Sequence, residues 1–142
     1  MNYFPRSRVV VPIDFSDRSV EALSVAVQLV EKPADLYLLH VLGRAPDFDP
    51  TLAHDPERDL RRRETALSFM QRRYIRGGTV GANAEVRIGR PGREIPAFAE
   101  EVGADMLVMS SRGLTGMEHD RIGSVAEVAI RFAHCPVLVL RD

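Results

Sequence analysis

The chain has 142 residues, 45% of them apolar, and a formal net charge of −1. That is enough for one domain around one buried core, with no global excess of positive charge for nucleic acid or an anionic membrane. A single cysteine, Cys135, excludes an intramolecular disulfide and a cysteine-based metal cluster. Cys135 precedes Pro136 at the mouth of an apolar run, which suits a buried structural thiol. Of the 19 basic residues only Lys32 is a lysine, so any chemistry that needs a lysine has to use that one. Apolar stretches such as Val9 to Ile13 and Val137 to Leu140 are far too short to span a bilayer, and Met1 to Arg6 lack the apolar core of a secretion signal. These features predict a cytoplasmic protein.

Five short apolar runs alternate with four amphipathic stretches, the pattern of a parallel sheet covered by helices on both faces. The first strand is expected over Arg8 to Ile13, with Pro12 where the strand leaves the sheet. A helix follows from about Arg18 to Glu31, started by Asp17 or Ser16, with Val20, Leu23, Ala26, Val27 and Val30 on its apolar face. The second strand is expected over Asp35 to Leu42. Gly43 to Pro56, with three prolines and three aspartates, is expected to be an irregular loop.

Glu57 to about Arg76 has Leu60, Leu67, Met70 and Tyr74 on one face and seven arginines elsewhere. With no aromatic platform beside that charge, it is expected to be a solvated face laced with pairs such as Glu57 with Arg61 and Asp59 with Arg63, rather than a nucleic-acid surface. Asn83 to Ile88 alternates apolar and polar residues, as an edge strand does. A third helix is expected from about Gly92 to Val102, with Pro96 near its first turn. Then come a strand over Ala104 to Met109, a loop over Ser110 to Ile122, a helix over Gly123 to His134 and a strand over Pro136 to Arg141. Neither a repeat nor a second domain is visible between residues 1 and 142.

In such a sheet, ligands sit beyond the carboxyl ends of the strands, so the loops after strands one, two and four are the places to search. Strand one ends in Pro12-Ile13-Asp14-Phe15-Ser16 and strand two in Leu39-His40-Val41. An aspartate at that rim serves equally as a cap or a ligand contact, and His40 reads as a satisfied rim histidine. The loop after strand four carries more: Met109-Ser110-Ser111-Arg112-Gly113 leads through Ile122 into Gly123-Ser124-Val125. Gly113 allows a sharp turn and a close backbone approach, and Gly123-Ser124 opens a helix whose first amides and positive dipole end suit an anion. Spacing alone is equally compatible with glycines that turn the chain and a serine that caps a helix.

Those residues resemble the universal stress protein family, whose signature is a glycine, two residues, a second glycine, nine residues, then Gly followed by Ser or Thr. Here Ser110 takes the first position, Gly113 the second, and nine residues from Leu114 to Ile122 precede Gly123-Ser124. Val9 to Ser16, Leu39-His40-Val41 and Cys135 to Leu140 also look like the family, so the resemblance spans essentially the whole chain. It implies a single α/β domain of the adenine nucleotide alpha hydrolase-like type, with an open parallel five-stranded sheet of order 3-2-1-4-5. It further implies ATP, or AMP or ADP, with Mg²⁺ accompanying the nucleotide. Carried over by position, Asp14 and the backbone of Val41 would meet the nucleoside, and Pro12 and Met109 the base or its wall. Ser110, Arg112 and Gly113 would approach the ribose and phosphates, and Gly123, Ser124 and Val125 would hold the phosphates. The family's last strand often pairs between subunits, which implies a homodimer through residues 137–141. No nucleic-acid or membrane partner is implied.

Other classes lack their residues. A phosphate loop of the NTPase kind needs Gly-Lys-Ser/Thr, and no lysine lies near a glycine. A receiver domain needs an aspartate after strand three and a lysine after strand five, where Ile88-Gly89 and Arg141 stand. A nicotinamide enzyme would carry its glycine fingerprint where Phe15-Ser16-Asp17 lies. No histidine pairs recognisably with a nucleophile, so at most slow ATP hydrolysis is expected, with His119 or Asp120 as candidate bases. Two readings follow: a nucleotide-binding module in stress response or signalling, and a nucleotide-free dimeric interaction protein of the same fold.

Overall fold

The computed structural model describes residues 3–112 and 122–141, apart from the side chain of Phe48. Val9, Val10 and Val11 are all fully buried, which a strand achieves only when both faces of its sheet are covered. Their alternation divides the core. Val9 and Val11 pack with Leu36, Leu38, Met70 and Tyr74 on one face, whereas Val10 packs with Leu39, Ile95, Phe98 and Ala129 on the other.

The strands are β1 (Val9–Pro12), β2 (Leu36–Leu42), β3 (Asn83–Ile88), β4 (Met106–Ser110) and β5 (Val137–Leu140). They form one sheet in the order β3-β2-β1-β4-β5, every pair parallel, as expected. Pro12 is the last residue of β1, where its missing amide does least harm. Asn83–Ile88 is an edge strand, as its alternation predicts.

The helices are α1 (Asp17–Leu29), the single turn α2 (Ala45–Phe48), α3 (Pro56–Tyr74), α4 (Pro91–Glu101) and α5 (Ser124–Phe132). Residues of α1 and α3 complete the Val9 face of the core, and residues of α4 and α5 the Val10 face. The chain therefore leaves β1 and β4 toward opposite faces, and a crevice opens between their carboxyl ends.

Several local expectations are corrected. The α1 cap is Ser16, and Asp17 is the first helical residue. The buried stripe of α1 is Ser19, Ala22, Leu23 and Ala26, while Val20 is exposed; the bond from the Ser19 hydroxyl to Asp14 turns that polar residue inward and Val20 outward. Leu60 is likewise exposed on α3, whose buried residues are Met70 and Tyr74. Arg62 rather than Arg63 pairs with Asp59, at 3.5 Å, whereas Glu57 and Arg61 pair as expected at 3.9 Å. The stretch after β2 contains the α2 turn. Because Pro91 opens α4, Pro96 lies in the helix interior rather than in its first turn. Among the described residues no helix is long and apolar enough to cross a membrane.

Gly123 has an ordinary φ of −62°, so what it supplies is space: a Cβ there would lie 2.9 Å from the Ser111 carbonyl oxygen. Gly123→Ala should therefore cost about 1–3 kcal/mol by displacing the β4 loop. Gly78→Ala, where nothing lies within 4 Å, should change stability by less than about 0.5 kcal/mol. Urea unfolding of the two variants checks the contrast.

Candidate functional site

A cleft of about 230 Å³ lies at the carboxyl ends of β1, β2 and β4, closed by the first turns of α4 and α5. The structure brings Pro12, Asp14, Val41, Met109, Ser110, Arg112, Gly123, Ser124 and Val125 to its wall; Gly113 lies outside the described residues, as do His119 and Asp120. The cleft has two halves. Pro12, Leu39, Val41, Pro91, Ile95 and Met109 make an apolar slot, and the β4 loop with the α5 N-terminus makes a polar end.

The β1–α1 turn is built on Asp14. Its Oδ1 accepts the Ser16 amide at 3.0 Å and the Ser19 hydroxyl at 2.6 Å, and it accepts the Ser16 hydroxyl as well. In return the Asp14 amide donates to Ser19 Oγ at 2.9 Å. Asp14 is thus both the cap of its own turn and a wall of the cleft. The turn also holds Phe15 at φ 68°, a conformation that L side chains rarely adopt.

His40 sits beside it, half-buried, with Nδ1 2.6 Å from the Ile13 carbonyl oxygen. Since that carbonyl can only accept, Nδ1 carries the proton and Nε2 is left as the acceptor of the neutral ring. Burial pushes the imidazole pKa down, opposed by the Ile13 carbonyl and the Asp14 charge. His40 is the satisfied rim histidine the sequence suggests, and it lines the cleft.

At the polar end, Gly123 rather than Ser124 is the N-cap of α5, and no side chain caps it. The Gly123 amide donates to the Ser111 carbonyl at 2.6 Å and the Glu127 amide to the Gly123 carbonyl at 3.0 Å. Ser124, Val125 and Ala126 therefore present first-turn amides toward the cleft they line, where the helix dipole is positive. Ser110, which stands where the signature has a glycine, donates its hydroxyl to the Arg112 carbonyl at 2.6 Å. Its side chain is therefore folded back onto its own loop. Arg112 is 5% exposed and brings a buried guanidinium to the same wall.

Sequence reasoning missed Pro91 and Ile95, because only the loops after strands one, two and four were expected to reach the site. The available signal was Arg90-Pro91-Gly92, a proline-marked helix start directly after β3. It also missed Ser111 and Ala126, whose neighbours already point there.

The depressed His40 pKa has a consequence for stability. The unfolded chain protonates its histidine near pH 6.5 while the folded chain resists, so stability is full above about 6.5 and falls as pH drops from there toward the folded value. The melting temperature should therefore fall between about pH 7.5 and about pH 5.5, and His40→Asn, which keeps a donor for Ile13, should flatten that fall. Parallel curves for the two proteins would trace the slope to another group.

Compared with known proteins, residues 5–141 match the universal stress protein family. The chain is 35% identical over 139 residues to universal stress protein MJ0531 of Methanocaldococcus jannaschii, covering 94% of this chain and 81% of that protein. It is 32% identical to universal stress protein YxiE of Bacillus subtilis, covering 95% of this chain and 99% of the relative. Among solved structures it is similar to a universal stress protein crystallised in complex with cAMP, with a TM-score of 0.64 and 24% identity, covering 96% of this chain and 98% of that one.

Proposed function

The chain belongs to the universal stress protein family, and from that premise we propose that it is a cytoplasmic nucleotide-binding module of stress response or signalling. Its ligand in this reading is ATP with Mg²⁺, or AMP or ADP. One observation carries the reading: an apolar slot and an uncapped helix N-terminus face each other across one cleft. A nucleotide has the matching polarity, with a flat base of low charge at one end and phosphates at the other. The base would lie in the slot against Pro12, Val41 and Met109, near Asp14. The phosphates would lie against Gly123, Ser124 and Val125, with Ser110, Arg112 and Gly113 along the ribose side. The structurally similar family member in complex with cAMP supports the same ligand chemistry.

Mg²⁺ would arrive with the phosphates, because among the described residues no three His, Cys, Asp or Glu side chains converge on a metal position. Asp14 is the one carboxylate among the described residues of the cleft wall, and one of its oxygens is already occupied. The dimer belongs to the same proposal: β5 is a sheet edge that no other strand pairs among the described residues, its Val137–Leu140 residues all only partly buried, and pairing with a second copy would cover it. A nucleotide-free dimer of this fold would use that edge and leave the cleft without a role.

Residue 124 offers a clean test, since proline is well accepted as the first residue of a helix and the extended ψ of 155° at Gly123 tolerates a following proline. Ser124→Ala removes only the hydroxyl; Ser124→Pro removes the amide donor too, with α5 intact. In titration calorimetry with ATP and Mg²⁺, wild type should bind below about 1 mM. Ser124→Ala should weaken binding a few-fold and Ser124→Pro about tenfold or more. No heat at millimolar ATP, AMP or cAMP would remove the nucleotide reading, and undiminished affinity in Ser124→Pro would remove the helix end from it.

A further inference from the structure

A second recess, of about 530 Å³, lies on the other side of the β1–α1 turn from the cleft, between α3 and the carboxyl end of β2. Phe15, Leu42, Ala66 and Phe69 form its floor, and Arg58, Arg61, Arg62 and Arg72 stand around it. Among the described residues none that lines it is acidic. Spacings of three and four put these arginines and Phe69 on one stripe of α3. From Arg58 to Arg72 the stripe runs about 21 Å at 1.5 Å per residue.

The six arginines of this helix read as a solvated face as long as no aromatic surface accompanies them. The fold supplies one: Phe69 is 44% exposed and meets the Phe15 ring edge to face at 5.1 Å. Two of the arginines are fixed in place. Arg58 donates to the Ala53 carbonyl and Arg62 to the Gly43 carbonyl, at 2.5 and 2.7 Å. Arg61 makes an open 3.9 Å pair with Glu57, both side chains more than half exposed, a contact that contributes little. Nothing among the described residues pairs with the exposed Arg72.

We propose that this groove docks an acidic segment of a partner protein that carries an apolar or aromatic side chain. Arginine and aromatic residues are the groups that dominate protein interfaces; Glu57 and Asp59 of the same helix meet Arg61 and Arg62 only at 3.9 and 3.5 Å, and guanidiniums select for carboxylates by charge and by fork geometry. The length suits a segment of about six extended residues or about four helical turns. A nucleic-acid strand fits less well. It needs a row of stacking platforms, whereas the Phe15 ring is already covered by His40 at 4.3 Å and by Tyr74 at 6.1 Å, and Phe69 is the exposed ring that remains.

The test uses fluorescein-labelled twelve-residue synthetic peptides with six carboxylates each, Leu and Phe being placed at helical spacing in one and in alternation in the other. The same peptides with serine for Leu and Phe, and a twelve-nucleotide oligouridylate, serve as comparisons. At least one acidic-apolar peptide should bind the full chain with a dissociation constant below about 100 μM at low salt and weaken as salt rises. The double variant Arg61→Glu/Arg72→Glu and the single variant Phe69→Ser, all at exposed positions, should each reduce affinity about tenfold or more with unchanged circular dichroism. The proposal fails if neither peptide binds, if the serine versions bind as well, or if the variants bind like wild type. Tighter binding of the oligouridylate through the same arginines would overturn it in favour of nucleic acid.

Discussion

Asp14 Oδ1 accepts the Ser16 amide, the Ser16 hydroxyl and the Ser19 hydroxyl, and the rest of the carboxyl rim takes its shape from that convergence. The bonds from Ser16 tie the second residue after β1 to the cap of α1, and the bond from Ser19 sets the rotation of α1 on the sheet. They also fix the one non-glycine residue with positive φ among the described residues, Phe15. Such a conformation costs about 1–2 kcal/mol and persists where the surroundings over-determine it. Here the surroundings are the Asp14 turn on one side and, on the other, the Arg73 guanidinium donating to the Phe15 carbonyl at 3.2 Å. Charge-assisted bonds to a carboxylate are the strong members of their class, which makes Asp14 a structural acceptor of this turn.

The sheet was readable because its central strands must be buried on both faces, and runs such as Val9-Val10-Val11 and Met106 to Met109 leave few alternatives. The edge strand β3 was readable for the opposite reason, its alternation being the mark of one covered face. Helix faces were less so. Val20 and Leu60 fit an apolar periodicity yet face solvent; for Val20 the reason is that the rotation of α1 is decided by a hydroxyl that bonds a loop and not by counting apolar residues. At the site, the loops after β1, β2 and β4 could be found by topology alone. The contribution of α4 could not, since Pro91 and Ile95 reach the cleft only through the way that helix crosses β2 and packs on α5. Nor does a sequence reveal the direction of a hydroxyl: Ser110 could crowd or serve a ligand, and the fold turns it to the Arg112 carbonyl.

A net charge of −1 conceals how positive charge is deployed. With a single lysine in the chain, positive character comes from arginines and from the dipole of α5. Both are directional. A helix end offers donors along one axis, and a guanidinium offers a planar fork rather than a mobile point charge. The cleft uses the first with Arg112 beside it, and the groove on α3 uses four guanidiniums over an apolar floor. Under the two proposals the recesses would therefore select anions of different shape.

They also share a wall. Asp14 lines the cleft and Phe15, the next residue, lines the groove, while the Phe15 ring touches His40 on the cleft side and Phe69 on the groove side. A β1–α1 turn held by three donors on one oxygen has few soft degrees of freedom, and Phe15 stays at positive φ only while those bonds hold it there. Any ligand that moves Asp14 must therefore release the Ser16 and Ser19 bonds or carry Phe15 with it, and either change reshapes the floor of the groove. Rigid packing of this kind moves between discrete arrangements rather than deforming continuously. What the two recesses share is therefore one residue pair, Asp14 and Phe15, and the ring contacts of Phe15 with His40 and with Phe69.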